Sequence, residues 1–228
     1  MKCEYVPEIK GTLRRHMINI PDEINKVSGI RIFGKLIRSI VFSTDVAVIK
    51  NINANAIMAV YPFTPQPSIT HAIMSCADLP VFCGIGGGIT NGKRVINLGR
   101  DAEFQGAMGV VVNAPTPNET IIKLKATLDI PVIVTIPSEN ADFVSRIEAG
   151  VDILNISGAE KTASIVARIR DKYPNVPIIA TGGSTDESIA QTIEAGANAI
   201  TYTPPTPAQL LRQIMSSYRI EQGTQPRY

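Results

Sequence analysis

The chain has 228 residues, 44% hydrophobic, 18% charged and 5% aromatic with no tryptophan, and its formal net charge is +2. That is a globular composition, and Lys and Arg are dispersed rather than gathered into a stripe, which argues against a nucleic-acid partner. No run approaches the roughly 18 to 20 apolar residues of a membrane span, and the first residues have no apolar signal core, so a cytoplasmic protein without a membrane partner is expected.

Residues 1–37 are expected to form an N-terminal extension packed on the main body, with PDEINKVSG (21–29) as a short helix closing its floor. From residue 38 short apolar runs alternate with stretches of helical period. The predicted strands are RSIVFSTD (38–45), AIMAVYP (56–62), PVFCGI (80–85), GVVVNA (109–114), PVIVTI (131–136), VDILNIS (151–157), PIIATG (177–182) and ANAITYT (197–203). Strands that alternate with helices imply βαβ units and a parallel sheet, and their branched aliphatic content suits strands buried on both faces.

The units repeat. Pro131-Val-Ile-Val-Thr135 and Pro177-Ile-Ile-Ala-Thr181 are followed at the same distance by Ile147-Glu-Ala-Gly150 and Ile193-Glu-Ala-Gly196, an ungapped repeat of two strands and a helix. Asn53-Ala-Asn-Ala-Ile57 echoes Gly196-Ala-Asn-Ala-Ile200. Thr116-Pro-Asn-Glu119, Ser184-Thr-Asp-Glu187 and Thr206-Pro-Ala-Gln209 read as capping boxes that turn each loop directly into a helix. Eight such units predict a single closed (β/α)8 TIM barrel over 38–217, with 218–228 as a tail. Asp152, with Asn55 and Asn198 in repeat-related places, falls on the stability face at the N-terminal strand ends.

Chemistry in this architecture lies at the C-terminal strand ends. There, FCGIGGGITNGKR (82–94) meets part of a phosphate-cradling P-loop but puts Arg94 where a Ser or Thr must hold Mg²⁺, and Ile89 breaks a dinucleotide fingerprint. Gly84, Gly86, Gly87 and Gly88 either offer bare backbone to an anionic or carbonyl group, with Lys93 or Arg94 adding charge, or form a loop needing positive φ. Strand parity turns Asn113, Asn155, Ser157, Thr201 and Thr203 toward the mouth as neutral hydrogen-bonding groups, while Thr135 and Thr181 also fit as barrel-wall residues.

For proton transfer the candidates are Asp45, Glu139 and Glu160, Asp45 first; Asp is equally a favoured N-cap. Neither His16, in the basic stretch from Arg14, nor His71 has a partner at ligand or triad spacing, and no metal site is predicted. Cys3, Cys76 and Cys83 fit no pairing or metal spacing; Cys83 reads as a buried small hydrophobe before it reads as a nucleophile. Lys161 reads as a solvated residue at a helix start.

ATGGST (180–185) after a strand, followed by an EAGA turn and one more strand, is similar to the phosphate-binding half of the aldolase-type and ribulose-phosphate-binding barrels. The resemblance implies a phosphate held by Gly182, Gly183 and Ser184, helped by Thr203 or Thr206 hydroxyls, with the helix dipole aimed at the same spot; the alternative is that the glycine pair only permits tight strand-to-helix packing. Thr203-Pro-Pro-Thr-Pro207 departs from it, because the prolines lack the N–H groups of a second cradle. The strand AGVDILNIS (149–157) resembles that of deoxyribose-phosphate aldolases, with Asn155 and Ile179 in place of their two lysines, so imine chemistry is disfavoured.

Together these features point to an acid–base isomerase or lyase acting on a small phosphorylated or carboxylated metabolite, with Asn155 beside Asp45 and Glu160 among the catalytic candidates. Asn113, Ser157, Thr181 and Thr203 join the glycines as binding candidates. A flavin-dependent oxidoreductase and a non-catalytic ligand-binding barrel are the competing readings. No particular cofactor is predicted; FMN, or Mg²⁺ on Asp45 and Glu160, stays open, as does a homo-oligomer.

Overall fold

A computed structural model describes residues 7–9, 11–12 and 16–223. Cys3, Arg14, Arg15 and the last five residues of the tail lie outside the described residues.

The chain folds into a single closed (β/α)8 barrel. Its eight parallel strands are β3 (Ser39–Phe42), β4 (Ala56–Ala59), β5 (Val81–Gly86), β6 (Gly109–Val112), β7 (Val132–Ile136), β8 (Ile153–Ile156), β9 (Ile178–Thr181) and β10 (Ala199–Tyr202), and β10 pairs with β3 to close the ring. Each falls within one apolar run of the sequence, apart from Gly86 at the end of β5. The helices are α1 (Val46–Ile49), α2 (Pro67–Cys76), α3 (Lys93–Phe104), α4 (Asn118–Lys125), α5 (Phe143–Glu148), α6 (Thr162–Lys172), α7 (Asp186–Glu194) and α8 (Pro207–Gly223), the last running past the boundary expected at 217.

A 3₁₀ turn at Asp22–Lys26 buries Ile24 completely, within the helix expected at 21–29. It is followed by an antiparallel hairpin, β1 (Ile30–Ile32) and β2 (Lys35–Ile37), that the sequence reading did not anticipate. Its turn residues Phe33 and Gly34 both have positive φ, 45° and 80°, the geometry a two-residue hairpin favours. Ile30, Ile32 and Ile37 plug the floor and join the inward layer of Ile40, Met58, Phe82, Val111, Ile133, Ile153 and Ile179.

The sequence repeat has a structural cause at the floor. The side chain just before β8, β10 or β4 accepts the first N–H of the preceding strand. Asp152 takes Val132 N at 2.8 Å, Asn198 takes Ile178 N at 2.9 Å, and Asn55 takes Ser39 N at 3.1 Å. Asp152 also holds Lys125 Nζ at 2.6 and 2.7 Å, and the Arg170 guanidinium donates to Asn198 Oδ1 at 2.9 Å. These polar atoms fix strand register.

Two of the three expected capping boxes are corrected. Thr116 donates its hydroxyl to Asn113 O at 2.8 Å instead of capping, and α4 begins after Pro117 with no side-chain cap. At α7 the box is shifted by one residue, Thr185 accepting Ser188 N and Ser188 accepting Thr185 N. Only Thr206 and Gln209 form the box where it was expected.

Candidate functional site

Along the barrel axis the inward side chains change from aliphatic to polar toward the C-terminal end. Thr135 lies two residues beyond Ile133, Asn155 beyond Ile153, Thr181 beyond Ile179 and Thr201 beyond Ala199, so strand parity stacks the second set above the first. Ladder pairing sets Thr135 beside Asn155 and Thr181 beside Thr201.

These residues close on a cavity of about 130 Å³ at the mouth. Phe42 and Met58 form its apolar side, and Asn155, Ser157, Thr181, Thr201 and Thr203 its polar side. Asn155 and Thr201 are only 7% and 4% exposed. The Asn155 amide donates Nδ2 to Thr135 Oγ1 at 3.2 Å, while Asn155 Oδ1 and Thr201 Oγ1 have no hydrogen-bond partner among the described residues. Each such orphan costs about 1–3 kcal/mol, and buried polar groups are paired in the great majority of cases.

Beside this cavity lies a second pocket of about 280 Å³, lined by the β4–α2 loop (60–65), Gly84, the turn 86–90 and Asn113. Gly86, Gly87 and Gly88 have φ of 102°, 104° and 158°. A Cβ on Gly87 would stand 1.7 Å from Thr116 Oγ1. Thr116 is held in turn, because the Arg146 guanidinium reaches from α5 to donate to Thr116 O, to Asn118 Oδ1 and, at 2.8 Å, to Ala114 O. Both sequence readings of this turn therefore have a structural counterpart: positive φ is required, and the bare backbone faces a pocket. Lys93 and Arg94 line a different surface groove, with Pro67, Asn97, Leu98 and Asp101.

Gly182, Gly183 and Ser184 line a third pocket, about 350 Å³, with Thr181, Thr162 and Glu160. Gly182 N donates to Thr201 O at 3.3 Å, and a Cβ there would approach Ile200 Cγ2 to 2.7 Å and Ile189 Cγ1 to 2.9 Å. The glycine thus permits close strand-to-helix packing. The Glu160 carboxylate shares the pocket and among the described residues no Lys or Arg lines it, an electrostatic environment that works against an anion.

Asp45 lies in none of the three. Its Oδ1 accepts Ala47 N at 2.8 Å and Val48 N at 3.2 Å, capping α1. Glu139 accepts the Ser164 hydroxyl at 2.8 Å, Lys161 is exposed at the end of a 3₁₀ turn, and His71 is exposed on α2. Among the described residues no Asp, Glu, His, Lys or Arg lines the central cavity or the glycine pocket. Cys83 is buried on β5, and desolvation, reinforced by the charge of Asp101, pushes its thiol up to about 12, removing the thiolate that a nucleophile needs.

Among the described residues no three His, Cys, Asp or Glu side chains gather in metal-binding range. With Asp45 bound to two amides and Glu160 in a separate pocket, the residues present do not fit Mg²⁺. A flavin phosphate at 182–184 would face Glu160 without a balancing cation, so this arrangement does not fit FMN either.

The sequence reading missed Phe42 and Met58 as the apolar wall, and it missed the loop YPFTP (61–65). Phe63 on that loop is 73% exposed, and Ile89, which lines the same glycine pocket, is fully exposed. The prolines at 62, 65 and 67 were the available signal, since they mark a stiff loop ending where Pro67 opens α2.

No family model matches the chain, and no curated protein matches it. Among solved structures it is similar to a phosphoenolpyruvate phosphomutase from Streptomyces platensis subsp. rosaceus, with 13% identity, TM-score 0.61, and 88% of this chain and 84% of that one covered. A phosphonopyruvate hydrolase solved with oxalate and Mg²⁺ gives 16% identity, TM-score 0.60, and coverage of 82% and 83%. A 2,3-dimethylmalate lyase of the PEP mutase/isocitrate lyase superfamily gives 11%, 0.59, and 86% and 80%. At these identities the likeness establishes the (β/α)8 fold. It does not bring out the narrower aldolase or ribulose-phosphate type that the ATGGST segment suggested. Among the described residues no helix is long and apolar enough to cross a membrane.

Proposed function

We propose that this barrel binds a small carboxylated or phosphorylated metabolite at its mouth. An oxygen-bearing carbon of the ligand would rest on Asn155 and Thr201, and its anionic group on the backbone of the glycine turn at 84–88. The observation that carries this reading is the pair of buried, unpartnered polar atoms in a cavity at the end of the barrel where loops converge. Ser157, Thr181 and Thr203 complete the polar side and Asn113 borders the glycine pocket. Met58 and Val60 lie two residues apart on one strand and its extension, one lining each space, so a ligand of a few carbons spans both.

Lyase or isomerase turnover is the activity suggested by the names of the structural neighbours. The uncharged lining supports a second reading, a barrel that holds its ligand unchanged, because neither space contains a carboxylate, imidazole or amine to move a proton. The segment 182–184 is the other placement for a phosphate, with Glu160 opposing it.

A thermal-shift panel of short hydroxy, keto and phosphorylated acids tests the binding claim, and NMR of each stabilising mixture separates turnover from retention. A ligand that raises Tm for the wild type and not for Asn155→Leu supports the mouth as the site. A ligand whose effect survives Asn155→Leu and disappears with Ser184→Glu moves the site to α7 and contradicts it.

A further inference from the structure

We propose that the group entering the central cavity is a hydroxyl, donating to Asn155 Oδ1 and accepting from Thr201 Oγ1. The inference rests on the mouth being the ligand site and names the chemistry that it selects. With its Nδ2 donating to Thr135 Oγ1 at 3.2 Å, the Asn155 amide turns its carbonyl oxygen, an acceptor alone, to the cavity. A carboxylate, phosphate or ketone oxygen brings only lone pairs to that atom and leaves it unsatisfied. An ammonium would donate, but no carboxylate lines the cavity to balance a buried charge. Thr201, 4% exposed, can donate or accept. A hydroxyl donates and accepts, the pair of roles that Asn155 Oδ1 and Thr201 Oγ1 leave open, and Phe42 and Met58 offer an apolar side for its carbon.

The consequence is discrimination by missing partners. A ketone analogue leaves Asn155 Oδ1 unpaired, an analogue with no oxygen there leaves Thr201 Oγ1 unpaired as well, and sites built this way reject such analogues strongly. The carboxylate of a short hydroxy acid then points out of the cavity toward the glycine turn, consistent with the placement of the anionic group above.

The test uses lactate, pyruvate and propionate, which share three carbons and a carboxylate and differ at the second carbon. Binding is read at the ε-methyl resonance of Met58 in protein labelled at its methionine methyls, assigned with Met58→Leu. Lactate is expected to shift that resonance with an affinity at least about tenfold higher than either analogue. In Asn155→Leu lactate and pyruvate are expected to converge, because Thr201 Oγ1 donates to either oxygen, while Thr201→Val is expected to weaken lactate yet keep it ahead of pyruvate. Pyruvate or propionate equalling lactate at Met58 overturns the hydroxyl assignment while leaving the mouth as the ligand site. If none of the three moves Met58, while all perturb residues at 182–184, both the assignment and the site are overturned.

Discussion

Replacing Gly87 with alanine is expected to lower the unfolding free energy by about 3 kcal/mol, measured by urea denaturation. Three costs combine. The backbone at Gly87 has φ of 104°, a region an L side chain rarely adopts. The new Cβ would lie 1.7 Å from Thr116 Oγ1 and 3.1 Å from Asn113 N, so side-chain rotation alone does not make room. Moving Thr116, which is fully buried, breaks its 2.8 Å bond to Asn113 O and disturbs the loop that Arg146 holds. Gly88 is the internal control for the contact with Thr116, since a Cβ there meets nothing within 4 Å and only its positive φ of 158° opposes a side chain. Gly88→Ala is expected to cost about 1 kcal/mol, the backbone share alone. A small loss for Gly87→Ala would mean that the turn is not packed on Thr116.

Alkaline pH is expected to destabilise the protein through Cys83. Burial, then the Asp101 carboxylate, raises the thiol from 9.0 to about 12. The sign follows from linkage. Below pH 9 the thiol is neutral in both states and stability is unaffected; above it the unfolded chain ionises first, so stability falls until the folded thiol titrates near 12. Three pH units at 1.36 kcal/mol each give about 4 kcal/mol. The difference between wild type and Cys83→Ala isolates this contribution from the tyrosines and lysines that titrate in the same range. The gap between the two stability curves should narrow as pH rises from 9 to 12. A gap independent of pH would place Cys83 in contact with water, against the 2% exposure seen here.

The barrel was legible in the sequence because each unit punctuates itself. Proline opens one class of strand, the Glu-Ala-Gly turn precedes the other, and the residue before β4, β8 and β10 is an Asn or Asp whose side chain pins the neighbouring strand. The floor hairpin was not legible, because strands of three residues are shorter than any periodicity can define. Nor could spacing assign the caps at 116 and 185. Thr116 faces both a buried glycine turn and a capping position, and packing against Gly87 decided between them.

The site divides in the same way. Strand parity was enough to turn Asn155, Ser157, Thr201 and Thr203 toward one space, because a period of two has only two outcomes. Asp45 was ambiguous for a physical reason, since a carboxylate at a strand-to-helix junction serves either a cap or a proton transfer, and only its bonds to Ala47 and Val48 distinguish them. That Asn155 and Thr201 lack partners is a property of three-dimensional packing and has no trace in the sequence.

The central claim is that Asn155 and Thr201 are kept for a ligand rather than for the fold, and the stability of Thr201→Val measures this most directly. Valine nearly matches threonine in shape and removes a buried hydroxyl that has no partner. The ligand-free variant is expected to be at least as stable as the wild type, by about 1 kcal/mol in its favour, while the thermal shift produced by a mouth ligand shrinks. A ligand-free variant that is more than about 1 kcal/mol less stable, or one that keeps the full ligand response, would show that the hydroxyl serves the structure and would contradict the account.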